Sequence, residues 1–414
     1  MAKHGDRSSR MQEPKGTGVA EMQVAFPPDG APRTPDGLGF LREASLFRLD
    51  IHADARAIPL PHESVDLVVT SPPYWKKRDY GFVGQIGQEE TPEGFVGALL
   101  CALRDWRRVL TRYGSVFLNI GDTYHNKALA AIPGRVEAAA ATNGWILRNR
   151  IIWTKIGGMP EPAANRLANR HEYILHLAAT HEYFSDVQGY AERFGNGSNP
   201  GDVWHIPLRR NMGTHLAPFP DELVERAILL ACPNAVCSKC GKPRRRLIER
   251  TAELDPARPQ ARRAMQLAAE KGLTPAHIAA IQATGISDAG KAMQVQSGSG
   301  KNSAEVKRLA AEAKLALGGY FREFTFARKR TAGWSDCGCG AVFRPGIVLD
   351  PFQGTGTTAR ISNMLGRSAV GVDLVLPTRR EGWQGGVLDV GDDQRTCRSD
   401  NPSGSSLSPR VAKA

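Results

Sequence analysis

Three groups of residues in this 414-residue chain have types and spacings that could do chemistry. The first is Thr70-Ser71-Pro72-Pro73-Tyr74-Trp75, after the strand-like run at 65–69. Two consecutive prolines fix φ and offer no N–H, so the strand must stop at Ser71. A rigid extended turn follows, its carbonyls unpaired by the sheet, with Tyr74 and Trp75 held where a planar ligand could stack. The alternative is a plain strand stop whose aromatic rings cap the core. The second group is DPFQGTGTT at 350–358, in which a strand-like run meets Gly354 and Gly356 and then a helix. The glycines let backbone approach a ligand, and the helix N-terminus offers free N–H groups. No lysine precedes Thr357 and Thr358, so this is not a Walker A loop, and it lacks the full dinucleotide spacing. A ligand with a carboxylate and an adenosine but no pyrophosphate fits better. Asp373, ending the next strand-like run, stands where an acid can accept from both ribose hydroxyls. The third group is two cysteine pairs, Cys237 with Cys240 and Cys337 with Cys339, which together could supply four thiolates to one zinc. Their separation requires a looped-out segment that returns to close the site; unligated buried thiols are the alternative.

These groups need elements to position them. Strand-like runs at 47–53, 64–70, 114–121, 145–153 and 171–178 alternate with helical ones, among them 93–110, which argues for an α/β sheet with helices on both faces. A helix at 219–232 carries Leu223, Ala227 and Leu230 on one stripe. The segment 346–375 reads strand, glycine loop, helix, strand. Residues 1–43 are polar and rich in proline and glycine and read as a disordered arm, and 377–414 as a flexible tail. The expected organisation is therefore two halves of one domain, 44–232 and 345–376, separated by an insert at 233–344.

The formal charge of +12 favours a polyanionic partner, nucleic acid first. Residues 237–336 hold 19 lysines and arginines against 9 acidic residues, so the insert concentrates the excess. Within it, 272–292 has two short helical stretches around ATGIS, a hint of helix-turn-helix whose alternative is an ordinary helical hairpin. No apolar run approaches the roughly 20 residues that span a bilayer, and the N-terminus lacks the apolar core of a signal peptide. A cytoplasmic protein with no membrane partner is expected.

TSPPYW followed by DPFQGTGTT resembles the S-adenosylmethionine-dependent DNA amino-methyltransferases in their permuted beta arrangement, catalytic half first and cofactor loop last, of phage or restriction-modification type. HADARAIPLPHESVDLVVTSPPYW, RNRIIWTKIGGMPEPAANRLANRHEYILHL and THLAPFPDELVERAILLACP are similar to further family segments, so the likeness covers about 46–376 without the insert. It implies a doubly wound, Rossmann-like, seven-stranded mixed sheet, here with an inserted zinc-binding, partly helical module.

The resemblance also implies roles. An exocyclic base amine is a poor nucleophile because its lone pair is delocalised into the ring. Ser71 and the Pro72 carbonyl would accept its two hydrogens, with Pro73 fixing the turn, and so aim the lone pair at the sulfonium methyl of S-adenosylmethionine. Tyr74 would stack on a base flipped from duplex DNA. Asp350, Phe352, Gly354, Gly356 and Thr357 would line the cofactor, Asp54 would border its adenine, and His215, Pro218 and Phe219 would cover its methionine end. Lys76, Lys77 and Arg78 would lie beside DNA phosphates. In the family, serine before PPY goes more often with cytosine N4 than with adenine N6, so N4-methylcytosine is the expected product and N6-methyladenine the alternative. A cognate restriction endonuclease is an expected partner. Competing readings are a zinc-dependent DNA-binding regulator on an inactive fold, and methylation of RNA or a protein amide.

Overall fold

The computed structural model describes residues 44–156, 163–195, 197–208, 220–256, 258–285, 302–375 and 386–389. Strand β1 is Arg48–His52 and β2 is Val65–Thr70, the latter buried at every position. A strand covered on both faces reads as a continuous apolar run rather than an alternating one, as VDLVVT does apart from Asp66. Helix α1, Pro92–Val109, starts where Thr91 accepts from the Gly94 N–H at 3.1 Å and Pro92 supplies a preset φ. Strand β3 (Leu110–Ile120) follows directly, then a small hairpin of β4 (Tyr124–His125) and β5 (Ala128–Leu129), helix α2 (Ile132–Thr142), and the strands β6 (Ile146–Ile156) and β7 (His171–Ala178). Helix α3 (Val187–Phe194), strand β8 (Val203–Pro207) and helix α4 (Asp221–Ala231) complete the first half.

The insert leaves through β9 (Val236–Cys237) and β10 (Arg246–Arg250), carries helices α5 (Pro259–Glu270), α6 (Pro275–Thr284), α7 (Ala304–Leu317) and α8 (Phe321–Thr325), and returns through β11 (Lys329–Trp334) and β12 (Phe343–Arg344). Outgoing and returning legs pair antiparallel, β9 with β12 and β10 with β11, which is the return the cysteine spacing required. The helices bury a small core of their own around Ala264, Ile281, Leu317, Phe321 and Phe324. Of the expected helical stretches around ATGIS, the first is α6, reached from α5 through a turn with Gly272 at φ +61°; the second lies outside the described residues. Ala276, Ala279 and Ala283 form the exposed face of α6.

After the insert come β13 (Ile347–Asp350), helix α9 (Thr357–Met364), β14 (Ser368–Asp373) and β15 (Gly386–Asp389). The main sheet runs β15-β1-β14-β13-β2-β3-β7-β6-β8. The late strands β13 and β14 thus sit between the early strands β1 and β2, and the two halves form one doubly wound sheet. Neighbours are parallel except β7, which is antiparallel to β3 and β6. Residues alternate between two cores: Val116, Leu118 and Ile120 of β3 face one with α1, and Phe117 faces the other with α4. The expected seven strands become nine. The additions are the edges β15 and β8; β8 has Trp204 and Ile206 buried between exposed neighbours and ends at Pro207, a pattern suited to an edge. Among the described residues no helix is long and apolar enough to cross a membrane.

Candidate active site

Strands β13 and β2 are parallel neighbours, so the loops after Asp350 and Thr70 emerge side by side at the same edge of the sheet. The chain then leaves β13 for α9, whose Ile361 packs in one core, and leaves β2 for α1 in the other. That divergence opens a crevice where ligands of doubly wound sheets bind.

Asp350 joins the two loops. Its carboxylate accepts from Thr70 Oγ1 at 2.7 Å, Thr358 Oγ1 at 2.6 Å and the Phe352 N–H at 3.1 Å. It is fully buried, and burial pushes its acid from an ordinary 3.8 up to about 6, against the pull of those donors. Asp350, expected among the residues lining the cofactor, clamps the two loops together. A raised acid has a defined stability consequence. Between the two values the folded chain holds a proton that the unfolded chain has released, so stability falls as pH rises from about 4 through about 6, by an amount on the order of 3 kcal/mol. Asp350→Asn keeps an acceptor for Thr70 and a donor for Thr358 without a buried charge. Thermal unfolding across that window should show a shallower fall for the variant, and parallel curves would contradict the assignment.

On the cofactor-loop side, Gly354 and Gly356 have φ of +49° and +77°, values that exclude most side chains. Gly354 N–H donates to Asp373 Oδ2 at 2.8 Å, and Val375 N–H to Asp373 Oδ1 at 3.3 Å. Each oxygen keeps a second lone pair for a diol. Burial raises the Asp373 acid and these N–H bonds oppose the rise. Phe352 meets Trp106 edge to face at 6.1 Å, and Thr357 faces Thr355 at 3.5 Å. Asp54, expected beside an adenine, instead holds Arg56 at 2.5 Å, and Arg56 reaches on to the Gly84 carbonyl. His215, Pro218 and Phe219 lie outside the described residues.

In TSPPYW, Trp75 does not face a ligand. It is 1% exposed, its indole donating to the Glu89 carbonyl and its own carbonyl held by Thr123. It anchors the turn, while Tyr74 is only partly buried. The Tyr74 ring lies against Gly121, where a Cβ would come within 2.6 Å of it, so only glycine fits there. Ser71 Oγ donates to Tyr74 Oη at 3.3 Å, and Tyr74 Oη donates to Glu172 Oε2 at 2.6 Å. Asn119 Nδ2 lies within 3.3 Å of Ser71, 2.8 Å of Tyr74 and 2.9 Å of Glu172, and Lys155 pairs with the other Glu172 oxygen. Burial, then the Glu172 charge, raises the Tyr74 phenol well above its usual value, so it remains a donor. Among the described residues none donates to the Pro72 carbonyl. Lys76 and Lys77 are exposed just beyond, and the Arg78 carbonyl is held by Gln88.

Sequence reasoning missed Asn119, Lys155 and Glu172. A signal was present: Asn119 is an amide inside the apolar run VFLNI, and Glu172 is the second residue of the strand HEYILHLA, and polar residues within strand-like runs are informative.

At the base of the insert, one sulfur from each of Cys237, Cys240, Cys337 and Cys339 lies within 4.8 Å of every other. The turn that presents the first pair is closed by Gly241 N–H to the Cys237 carbonyl at 2.9 Å, with Gly241 at φ +69°. Four thiolates at this separation fit a tetrahedral ion with metal–sulfur distances of about 2.3 Å.

A family model described as DNA methylase, for N6 and N4 methylation, matches residues 65–236. The type II methyltransferase M.XycI of Xanthomonas campestris pv. cyanopsidis is 35% identical over 235 residues, 49% of this chain and 77% of that protein. The type II methyltransferase M.Cfr9I of Citrobacter freundii is 33% identical over 220 residues, 46% of this chain and 73% of that protein. A solved structure described as PvuII DNA methyltransferase (cytosine-N4-specific) overlays with a TM-score of 0.45 and 15% identity, covering 80% of this chain and 82% of that one.

Proposed function

The chain belongs to the N6/N4 DNA methylases, and from that premise we propose that it methylates the exocyclic N4 of cytosine flipped from duplex DNA, using S-adenosylmethionine. The observation that carries the choice of base is Ser71. In the family a serine there goes more often with cytosine N4 than with adenine N6, and its neutral hydroxyl can accept an amine hydrogen, more weakly than a carboxylate would, beside either base. Ser71 and the Pro72 carbonyl hold the amine, Pro73 keeps the turn rigid, and Tyr74 stacks on the base. Gly354, Gly356, Phe352, Thr357 and Asp373 would hold the cofactor, which supplies an activated methyl group. Lys76, Lys77 and Arg78 lie next to the flipped base's phosphates, and a cognate restriction endonuclease is the natural partner of a type II methyltransferase. Expression followed by modification-sensitive sequencing of host DNA should report N4-methylcytosine in one fixed context. Modified adenine alone would overturn the base assignment, and no modification would favour the DNA-binding regulator.

Cys237, Cys240, Cys337 and Cys339 would hold one structural zinc. It would tie the outgoing leg of the insert to the returning one, so chelation should loosen the insert while the cofactor half stays folded. Elemental analysis should give one zinc per chain, and its absence from freshly purified protein would remove the site.

A further inference from the structure

Loss of a proton must accompany methylation of an amine, and the site contains a continuous path for it. We propose that Glu172 takes the proton of the target amine through Ser71 and Tyr74. The donors already point that way: Ser71 Oγ to Tyr74 Oη at 3.3 Å, then Tyr74 Oη to Glu172 Oε2 at 2.6 Å. This deepens the function proposed above and rests on it, since it requires an exocyclic amine at Ser71.

The balance closes. The nitrogen lone pair forms the new N–C bond while the methyl group's bond to sulfur breaks with its pair going to sulfur, which removes the sulfonium charge. The N–H pair returns to nitrogen, the amine proton moves to Ser71 Oγ, the Ser71 proton moves to Tyr74 Oη, and the Tyr74 proton moves to Glu172. Glu172 is neutralised, and it later releases the proton to solvent. The product nitrogen is left uncharged, and Tyr74 and Ser71 are each restored with a different proton. Two neighbours hold the acceptor in place: Lys155 on β6 by an ion pair, and Asn119 on β3 by a hydrogen bond at 2.9 Å. Because the relay needs the hydroxyl and not only the ring, it gives Tyr74 a role that phenylalanine could not fill.

Tyr74→Phe and Glu172→Gln should each slow single-turnover methyl transfer about 100-fold or more, the range for lost proton transfer. The double variant should be no slower than the slower single one, because both cut the same path. In mixtures of light and heavy water the wild-type rate should fall along a curve, reporting more than one proton in flight, and the Tyr74→Phe rate along a line. Without cofactor or DNA, the Tyr74 hydroxyl should give a downfield proton resonance that is lost in Tyr74→Phe and moves in Glu172→Gln. Wild-type rate in Tyr74→Phe, multiplicative losses in the double variant, or no solvent isotope effect in the wild type would each overturn the relay. If the wild type moved no methyl group to DNA, the function reading itself would fall; transfer to adenine N6 with the isotope behaviour intact would leave the relay standing.

Discussion

Tyr74→Ala should lower methyl transfer by about 100-fold or more while leaving S-adenosylmethionine affinity nearly unchanged. The ring is the surface on which a flipped base would rest, and it is fixed by Gly121 behind it and by Glu172 and Asn119 at its hydroxyl. None of these contacts involves Gly354, Gly356 or Asp373, which form the other side of the crevice. Truncation removes base positioning and leaves the cofactor loop as it was. Single-turnover transfer and calorimetric titration of the cofactor, on protein whose melting temperature has been checked, separate the two effects. Full turnover by the variant would show that the turn does not hold the substrate.

Arg344→Ala should destabilise the protein by about 3 to 5 kcal/mol, the range for removing one partner of a buried ion pair. Arg344 ends the insert and is 7% exposed; its guanidinium meets Asp66 of β2 at 2.6 Å, and the same carboxylate takes the Ile347 N–H at 2.9 Å. This contact seats β13 beside β2 and so aligns the cofactor loop with the catalytic turn. Without Arg344 the Asp66 carboxylate stays buried with too few donors. Urea unfolding should show the loss as a lower midpoint, and replacing both residues by apolar ones should cost less than the single change. A loss below about 1 kcal/mol would mean that the halves are aligned by strand pairing alone.

The sheet and both loops were legible because their signals are local. Paired prolines end β2 wherever it lies, and Gly354 and Gly356 mark a turn without reference to any neighbour. Even the return of the insert could be argued from four cysteines. What could not be read depends on partners distant in sequence. Trp75 looks like a ligand platform until Glu89 and Thr123 bury it. Asp350 reads as a cofactor residue, and its bond to Thr70, 280 positions away, has no local signal. Asp54 reads as an adenine contact, and its bond to Arg56 two residues on shows only in the geometry. Glu172 was hidden because its meaning comes from Tyr74 and Asn119, on two other segments.

In the proposed function this site places a methyl group on a base amine under the direction of Ser71. The most direct test is mass spectrometry of nucleosides from duplex DNA incubated with the purified protein and methyl-labelled S-adenosylmethionine, with Ser71→Ala in parallel. The predicted result is label in N4-methylcytosine with the wild type and a large loss with the variant. No labelled nucleoside from the wild type, or equal label from both proteins, would contradict this assignment of the site.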